Sequence, residues 1–311
     1  MNKYLVTGAA GFIGSNVARC LIAQGYEVVT IDNLSTGKRE VIPDGCELIE
    51  GNDFDPEVIE QLYHHRFDGV IHIAGQSSGE VSFENPVYDL HTNAQSTIML
   101  LDYVRKTKCP EFLFASSMAV YGDLDNSFVT EETVPTPKSF YAVGKLASEH
   151  YMRIYSQIYG IRCTALRFFN VFGVGQNLDN LKQGMASIYL AMALRDGHIT
   201  VKGDADRFRD FVYIDDVVGA VMLAINRKCG KNYEVYNVSN SRQIFVRDII
   251  AFIEDYLPFK VSHEYVEGTL GDQKGVFGSN DKIKRDLEWS SKYNFEEGMK
   301  MMIDWAISNI K

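Results

Sequence analysis

Cysteine is scarce and carries no pattern: there are five in 311 residues, Cys20, Cys46, Cys109, Cys163 and Cys229, with no Cys-x-x-Cys spacing. An odd, scattered set excludes a disulfide framework and a thiolate zinc site, so reduced thiols are expected. Basic residues are outnumbered, 31 lysines and arginines against 41 aspartates and glutamates, for a net charge of -10. Nucleic acid and anionic membrane are therefore not expected partners. Long apolar runs are missing too, none approaching the roughly 18 residues that cross a bilayer. Met1 to Gly8 holds neither an apolar signal segment nor a cleavage site, and a cytoplasmic location is expected. Repeats and Pro/Gly-rich linkers are lacking, so no tethered modules are expected. The pair His64-His65 has no third ligand in view, and no metal is expected.

What is present is the balance of a globular enzyme, 46% hydrophobic and 23% charged. The first half alternates short apolar segments with longer periodic ones. Tyr4 to Thr7, Glu27 to Ile31, Cys46 to Glu50, Gly69 to Ile73, Glu111 to Ala115 and Arg162 to Arg167 read as strands. Strand and helix in alternation predict an α/β fold with a doubly wound parallel sheet, which binds ligands at the carboxyl ends of its strands. After Asn170 the alternation fades into a loop-rich region, Val171 to Gly184. A helix near 186–195, a strand at 199–202, a last sheet strand at 233–238 and helices near 246–257, 281–287 and 295–310 follow. Single cores stop growing at roughly 250–300 residues, so a second, smaller and discontinuous domain is expected. The division predicted is 1–167 with 212–240 for the first domain and 168–211 with 241–311 for the second.

The opening strand ends in Gly8-Ala9-Ala10-Gly11-Phe12-Ile13-Gly14 and runs into an apolar-periodic segment. Glycines suit a tight turn whose backbone approaches a pyrophosphate at a helix start, although three glycines alone also describe a plain turn. The second strand ends at Asp32, 18 positions after Gly14, where an acid accepts hydrogen bonds from the adenosine ribose and repels a 2′-phosphate. NAD is favoured over NADP on this reading. Asp32 also reads as a turn cap before Asn33, and the two roles coexist.

Further along, Ser116-Ser117-Met118-Ala119-Val120-Tyr121 follows a strand, and Tyr141-Ala-Val-Gly-Lys145 lies on a helical stretch. Residues four apart share a helix face, which points Tyr141 and Lys145 into one space. A phenol titrates near 10 and is a poor base unless a neighbouring cation such as Lys145 stabilises its anion.

With its Thr-Gly-x-x-Gly-Phe-Ile-Gly start and Tyr-x-x-x-Lys, the chain resembles the extended short-chain dehydrogenase/reductase family, whose members include nucleotide-sugar epimerases and dehydratases. The likeness covers almost the whole length and implies a Rossmann sheet. It implies NAD contacts from Gly8, Gly11, Phe12, Ile13, Gly14, Asp32, Asn33, Asp53, Phe54, Ile73, Ala74, Gly75, Gln76, Asn93 and Phe169. It also implies a catalytic set of Ser117, Tyr141 and Lys145, with Tyr141 taking the proton of a sugar hydroxyl, Ser117 bonding the same oxygen and Lys145 holding the nicotinamide ribose. Asn170, in Leu-Arg-Phe-Phe-Asn-Val-Phe-Gly, and Arg209, in Arg-Asp-Phe-Val-Tyr, would join Ser117 and Tyr141 in holding the nucleotide sugar. Asp215 and Asp216 read as a helix cap. Where the family has Arg-x-Gly-Asp, this chain has Thr269-Leu270-Gly271-Asp272, with Arg207 or Lys274 as replacements for the missing arginine.

Met118 and Ala119 stand where family dehydratases and decarboxylases carry proton-transferring acids. The resemblance therefore implies an NAD-dependent 4-epimerase of a nucleotide sugar, with a UDP-hexose favoured by analogy with UDP-sugar 4-epimerases. The alternatives are a 4,6-dehydratase or reductase of the same family and a non-catalytic NAD-binding sensor. The likeness also implies a homodimer built on helices around Pro86 to Lys106 and Ser139 to Tyr159.

Overall fold

Seven strands form one parallel sheet in the computed structural model, which describes residues 2–124, 128–182, 184–227, 230–268 and 274–309. They are β1 (Lys3–Thr7), β2 (Glu27–Asp32), β3 (Cys46–Glu50), β4 (Gly69–His72), β5 (Glu111–Ser117), β6 (Arg162–Phe168) and β7 (Tyr233–Val238). Their order is β7-β6-β5-β4-β1-β2-β3, the doubly wound Rossmann order extended by one edge strand. Side chains alternate across the sheet. Tyr4 and Val6 enter one apolar cluster while Leu5 enters another with Val29, Ile31, Leu100 and Val104. Both faces are covered by helices, which is why these strands read as nearly continuous apolar runs.

The helices that matter to the site are α1 (Phe12–Ala23), α2 (Ser96–Thr107), α3 (Phe140–Tyr159) and α4 (Ile214–Ile225). A Ser139 cap begins α3, its Oγ accepting from Ala142 N at 3.2 Å, and Gly160 at φ +71° ends it. Chain order reverses between β1 and β4, so the carboxyl ends of these two strands open a crevice.

Outside the sheet, four short strand pairs replace the alternation. Asn170–Phe172 runs parallel to Phe211–Tyr213, and His198–Lys202 to Ser262–Val266. Phe208–Arg209 is antiparallel to Ile244–Phe245, and Phe128–Val129 parallel to Phe277–Gly278. The terminal helix spans Phe295–Asn309, and the final predicted position, Ile310, lies outside the described residues.

The open edge of β7 is closed by side chains. Glu131 Oε1 accepts from Asn237 N at 2.8 Å, and Lys282 Nζ donates to Val235 O at 2.8 Å while pairing with Glu234 at 2.7 Å. Among the described residues, no helix is long and apolar enough to cross a membrane.

Candidate active site

At the end of β1 the backbone turns through Gly8, at φ +80°, and starts α1 at once. A Cβ on Gly14 would lie 2.1 Å from Gly8 O, and one on Gly8 would lie 3.0 Å from the Ala74 backbone. Helix and turn are thus closer than any side chain permits, which explains the glycines. The first turn of α1 has no acidic residue and its N-cap, Gly11, offers no side-chain bond. Its amide dipoles therefore face the crevice unneutralised, as a pyrophosphate requires. Phe12 and Ile13 open this helix and are partly buried.

Asp32 ends β2 with both oxygens engaged by this turn: Oδ2 accepts from Ala10 N at 2.8 Å and Oδ1 from Leu34 N at 2.9 Å. The turn-cap role is real, and Leu34 takes φ +57° beside it. Asn33 Nδ2 donates to Asn52 Oδ1 at 2.7 Å, joining the ends of β2 and β3. Asp53 is buried with Oδ2 lacking a hydrogen-bond partner, 3.6 Å from His72 Nδ1. Burial pushes its carboxyl up to about 7, against bonds to its own backbone and the charge of Lys145. Phe54 stacks on His91 at 5.7 Å.

The chain then passes beneath the crevice. Thr7 Oγ1 accepts from Ile73 N at 3.1 Å and Ala74 N at 3.0 Å and contacts His72 Nδ1 at 2.8 Å. His72, fully buried and also touching Ser96, holds two strand ends together; burial, with Lys145 next, drives its imidazole well below the ordinary range. A Cβ on Gly75 would meet Asn93 Oδ1 at 2.6 Å and Lys145 Nζ at 3.4 Å. Asn93 Oδ1 is buried without a partner, so two orphaned acceptors, with Asp53 Oδ2, border the same crevice. A cofactor with hydroxyl and amine donors, as in NAD, fits this floor.

Ser117, Tyr141 and Lys145 are brought together. Ser117 ends β5 and its Oγ accepts from Ala119 N at 3.2 Å, starting the tight turn Met118–Tyr121. Tyr141 and Lys145 occupy the first turns of α3, with Nζ 5.8 Å from the Tyr141 ring centroid and 4.6 Å from that of Phe114. Burial pushes the Tyr141 phenol up to about 12, hydrogen bonding with Ser117 pulling the other way and Asp89 adding to the rise. The lowering is expected from Lys145 together with the nicotinamide ring, and the chain by itself does not produce it. The lysine is itself brought down to about 8 by burial, with Asp89 and then Asp53 resisting.

Behind this trio runs a buried polar chain that sequence reading left out. Ser116 Oγ donates to Glu149 Oε1 at 2.5 Å; Arg167 grips both Glu149 oxygens at 2.9 and 2.7 Å and donates to Tyr121 OH at 2.9 Å; Tyr121 OH donates to Asn237 Oδ1 at 2.7 Å. Glu149 lies one helical turn beyond Lys145 on the same face, the one sequence signal that pointed to it. The bidentate pair fastens α3 to β5 and β6 and so sets Tyr141 and Lys145 against Ser117.

On the substrate side, Asn170 Nδ2 donates to Asp210 O at 3.1 Å, while Phe169 packs its ring over Gly278 within the core. Arg209 donates to Phe208 O at 2.8 Å. Burial, then the neighbouring Arg207, lowers Arg209 to about 10. Arg207 is itself engaged by backbone carbonyls, donating to Asp204 O at 3.2 Å and to Lys202 O. Thr269 to Asp272, where the family's second arginine is missing, lies outside the described residues. Asp216 does not cap α4: its oxygens accept from Lys292 N at 2.8 Å and Tyr293 N at 3.2 Å, tying α4 to the C-terminal segment. An open cavity of about 830 Å³ lies elsewhere, against β7, lined by Arg153, Tyr233, Lys282 and Arg285. It is lined by none of the expected cofactor, catalytic or substrate residues, and it faces solvent.

The NAD dependent epimerase/dehydratase family matches residues 4–239. A UDP-glucose 4-epimerase of Corynebacterium glutamicum is 30% identical over 301 residues, covering 94% of this chain and 91% of that protein. The solved UDP-glucose 4-epimerase of Thermotoga maritima with UDP-glucose superposes with a TM-score of 0.93 at 33% identity, over 99% of this chain and 100% of that one. A UDP-N-acetylglucosamine 4-epimerase from Methanobrevibacter ruminantium, in complex with UDP-N-acetylmuramic acid, gives 0.91 at 26%, over 99% of each chain. Since the match spans most of the sequence and takes in the glycine turn, Ser117, Tyr141 and Lys145, this chain belongs to the NAD dependent epimerase/dehydratase family.

Proposed function

We propose that the chain is an NAD-dependent 4-epimerase of a nucleotide sugar, with a UDP-hexose as substrate. The observation that carries the reading is the convergence of Ser117, Tyr141 and Lys145 beside the glycine turn, followed by Met118 and Ala119, which transfer no protons. NAD, when bound, accepts hydride from the sugar C4 and returns it. Tyr141 receives the proton of the 4-hydroxyl and gives it back, and Ser117 bonds the same oxygen as it becomes a carbonyl. The chain alone keeps Tyr141 protonated at neutral pH, so its action as a base depends on positive charge brought beside it. Lys145 and Asn93 form the floor under the nicotinamide side. Asp32, Asn33, Asp53 and Phe54 serve the adenosine end, and Asn170, Arg207 and Arg209 the substrate. The sugar-nucleotide contacts belong to a second domain made of 168–211 and 241–311.

Water loss from C5 and C6 needs a base and an acid within reach of the substrate. The carboxyls that act on Tyr141 and Lys145 are Asp89 and Asp53, both buried. Incubation with UDP-hexoses and UDP-N-acetylhexosamines, without added reductant, should yield products of unchanged mass that differ at C4. Loss of one water would make the enzyme a dehydratase, and stoichiometric use of NADH or NADPH a reductase.

A homodimer is part of the same proposal. Val87 (60% exposed), Leu90 (55%), Val143 (51%) and Ile158 (66%) present apolar side chains on the helix Pro86–Leu90 and on α3. Apolar side chains gathered in this way mark an interface. Light scattering should give twice the chain mass, and Leu90→Glu combined with Val143→Glu should give the single chain with NAD still bound. A monomeric unmodified protein would remove this part.

A further inference from the structure

Among the buried acids that the mechanism above leaves unused is Asp89. Asp89 lies in the short helix Pro86–Leu90, capped by Asn85, and is 1% exposed. Oδ1 accepts from Gln76 Nε2 at 2.8 Å and Asn93 Nδ2 at 3.1 Å. Oδ2 faces α3 at Gly144, where a Cβ would lie 3.5 Å from it and 3.0 Å from Asn93 Cβ. Gly144 stands between Tyr141 and Lys145 in α3, beside the acid. Asn93 continues the connection: its Nδ2 is on Asp89, and its Oδ1 and Lys145 Nζ both border the place a Gly75 Cβ would occupy, 2.6 and 3.4 Å from it.

We infer that Asp89 is a positioning residue of the active site: its carboxylate, fixed under the turn of α3 that joins Tyr141 to Lys145, supplies the negative charge against which Lys145 is held. The inference rests on the catalytic reading of those two residues. Neutral amides donate both bonds that Oδ1 accepts, so an asparagine would satisfy them equally well; what only the carboxylate adds is charge. The groups around Lys145 are Asp89, Asp53, His72 and Tyr141, and of these the two carboxyls oppose the effect of burial, Asp89 first. Lys145 is in turn the charged group acting on Asp89, whose carboxyl is raised by burial and lowered by Gln76, Lys145 and Asn93.

The sign of the effect is the same on both partners. A nearby negative charge favours the protonated form of an amine and of a phenol alike, so Asp89 raises both Tyr141 and Lys145. If turnover needs Tyr141 deprotonated and Lys145 protonated, Asp89 moves both limbs of the pH profile upward.

The test is Asp89→Asn, which keeps the acceptor and removes the charge. Both limbs of the kcat profile should move to lower pH, the alkaline one by about one pH unit, with NAD content and unfolding midpoint unchanged and Asp89→Glu restoring the profile. Independently of turnover, the 13Cε resonance of Lys145 should titrate at lower pH in Asp89→Asn than in the unmodified enzyme. An unmoved resonance and profile overturn the inference. A moved resonance in an enzyme that converts no nucleotide sugar sustains it and removes the epimerase reading instead. If Asp89→Asn fails to fold, the 13C carboxyl titration of the unmodified enzyme decides. A carboxyl still protonated across the working pH range carries no charge and overturns the inference; an ionised one sustains it.

Discussion

Tyr141→Phe should lower turnover by a factor of about 100 or more, the scale of a positioned acid-base group, while NAD content and thermal midpoint hold. The substitution removes one oxygen. The ring stays in its place at the start of α3, the Ser139 cap is untouched, and Lys145 keeps its position over Phe114. Only the proton carrier is lost. KM for the nucleotide sugar should change far less than kcat if, as proposed, Asn170, Arg207 and Arg209 hold the rest of the substrate. Turnover near that of the unmodified enzyme would take Tyr141 out of the mechanism, leaving Lys145 to be tested as the base.

Glu149→Ala should cost about 3–5 kcal/mol of stability, the penalty for leaving one member of a buried ion pair bare. Both partners are nearly inaccessible, Arg167 at 4% and Glu149 at 2%, and solvent cannot replace the lost carboxylate. Arg167 would retain Tyr121 OH but lose both bonds on its other side, and Ser116 Oγ would lose its acceptor. Denaturant unfolding at constant m should report the change as a lower midpoint. Replacing both partners, Glu149→Leu with Arg167→Met, should cost less than Glu149→Ala alone, since no charge then remains unpaired. A single substitution with an unchanged midpoint would show that the network contributes nothing to holding α3.

The sheet was legible because a strand covered on both faces is apolar throughout, and six such runs, each followed by a helical period, leave little choice of topology. The glycine turn was equally readable, since spacing there reflects backbone clearances of 2–3 Å that only glycine meets. The region after Asn170 was less so. Its two- and three-residue strands, such as Phe208–Arg209, carry no periodicity, and their partners lie far along the chain. Asp216 looked like a cap from its place at a helix start, but tertiary contact gave its oxygens to Lys292 and Tyr293, 76 and 77 positions away. Asp89 was unreadable, and Glu149 nearly so, for a different reason. A glutamate within a helix or an aspartate near a proline usually faces water, and only packing reveals that each is buried against a partner. The Tyr141 phenol shows the same limit, because neighbours in sequence suggest charges but not the desolvation that outweighs them.

The side-chain closure of β7 bears on how copies of this protein meet. An unpaired edge strand is a template on which a second sheet can continue hydrogen by hydrogen, the first step toward fibrous aggregates. With Asn237 N occupied by Glu131 and Val235 O by Lys282, two groups of that template are already taken from within the same chain. Growth by strand addition at this edge is thereby discouraged.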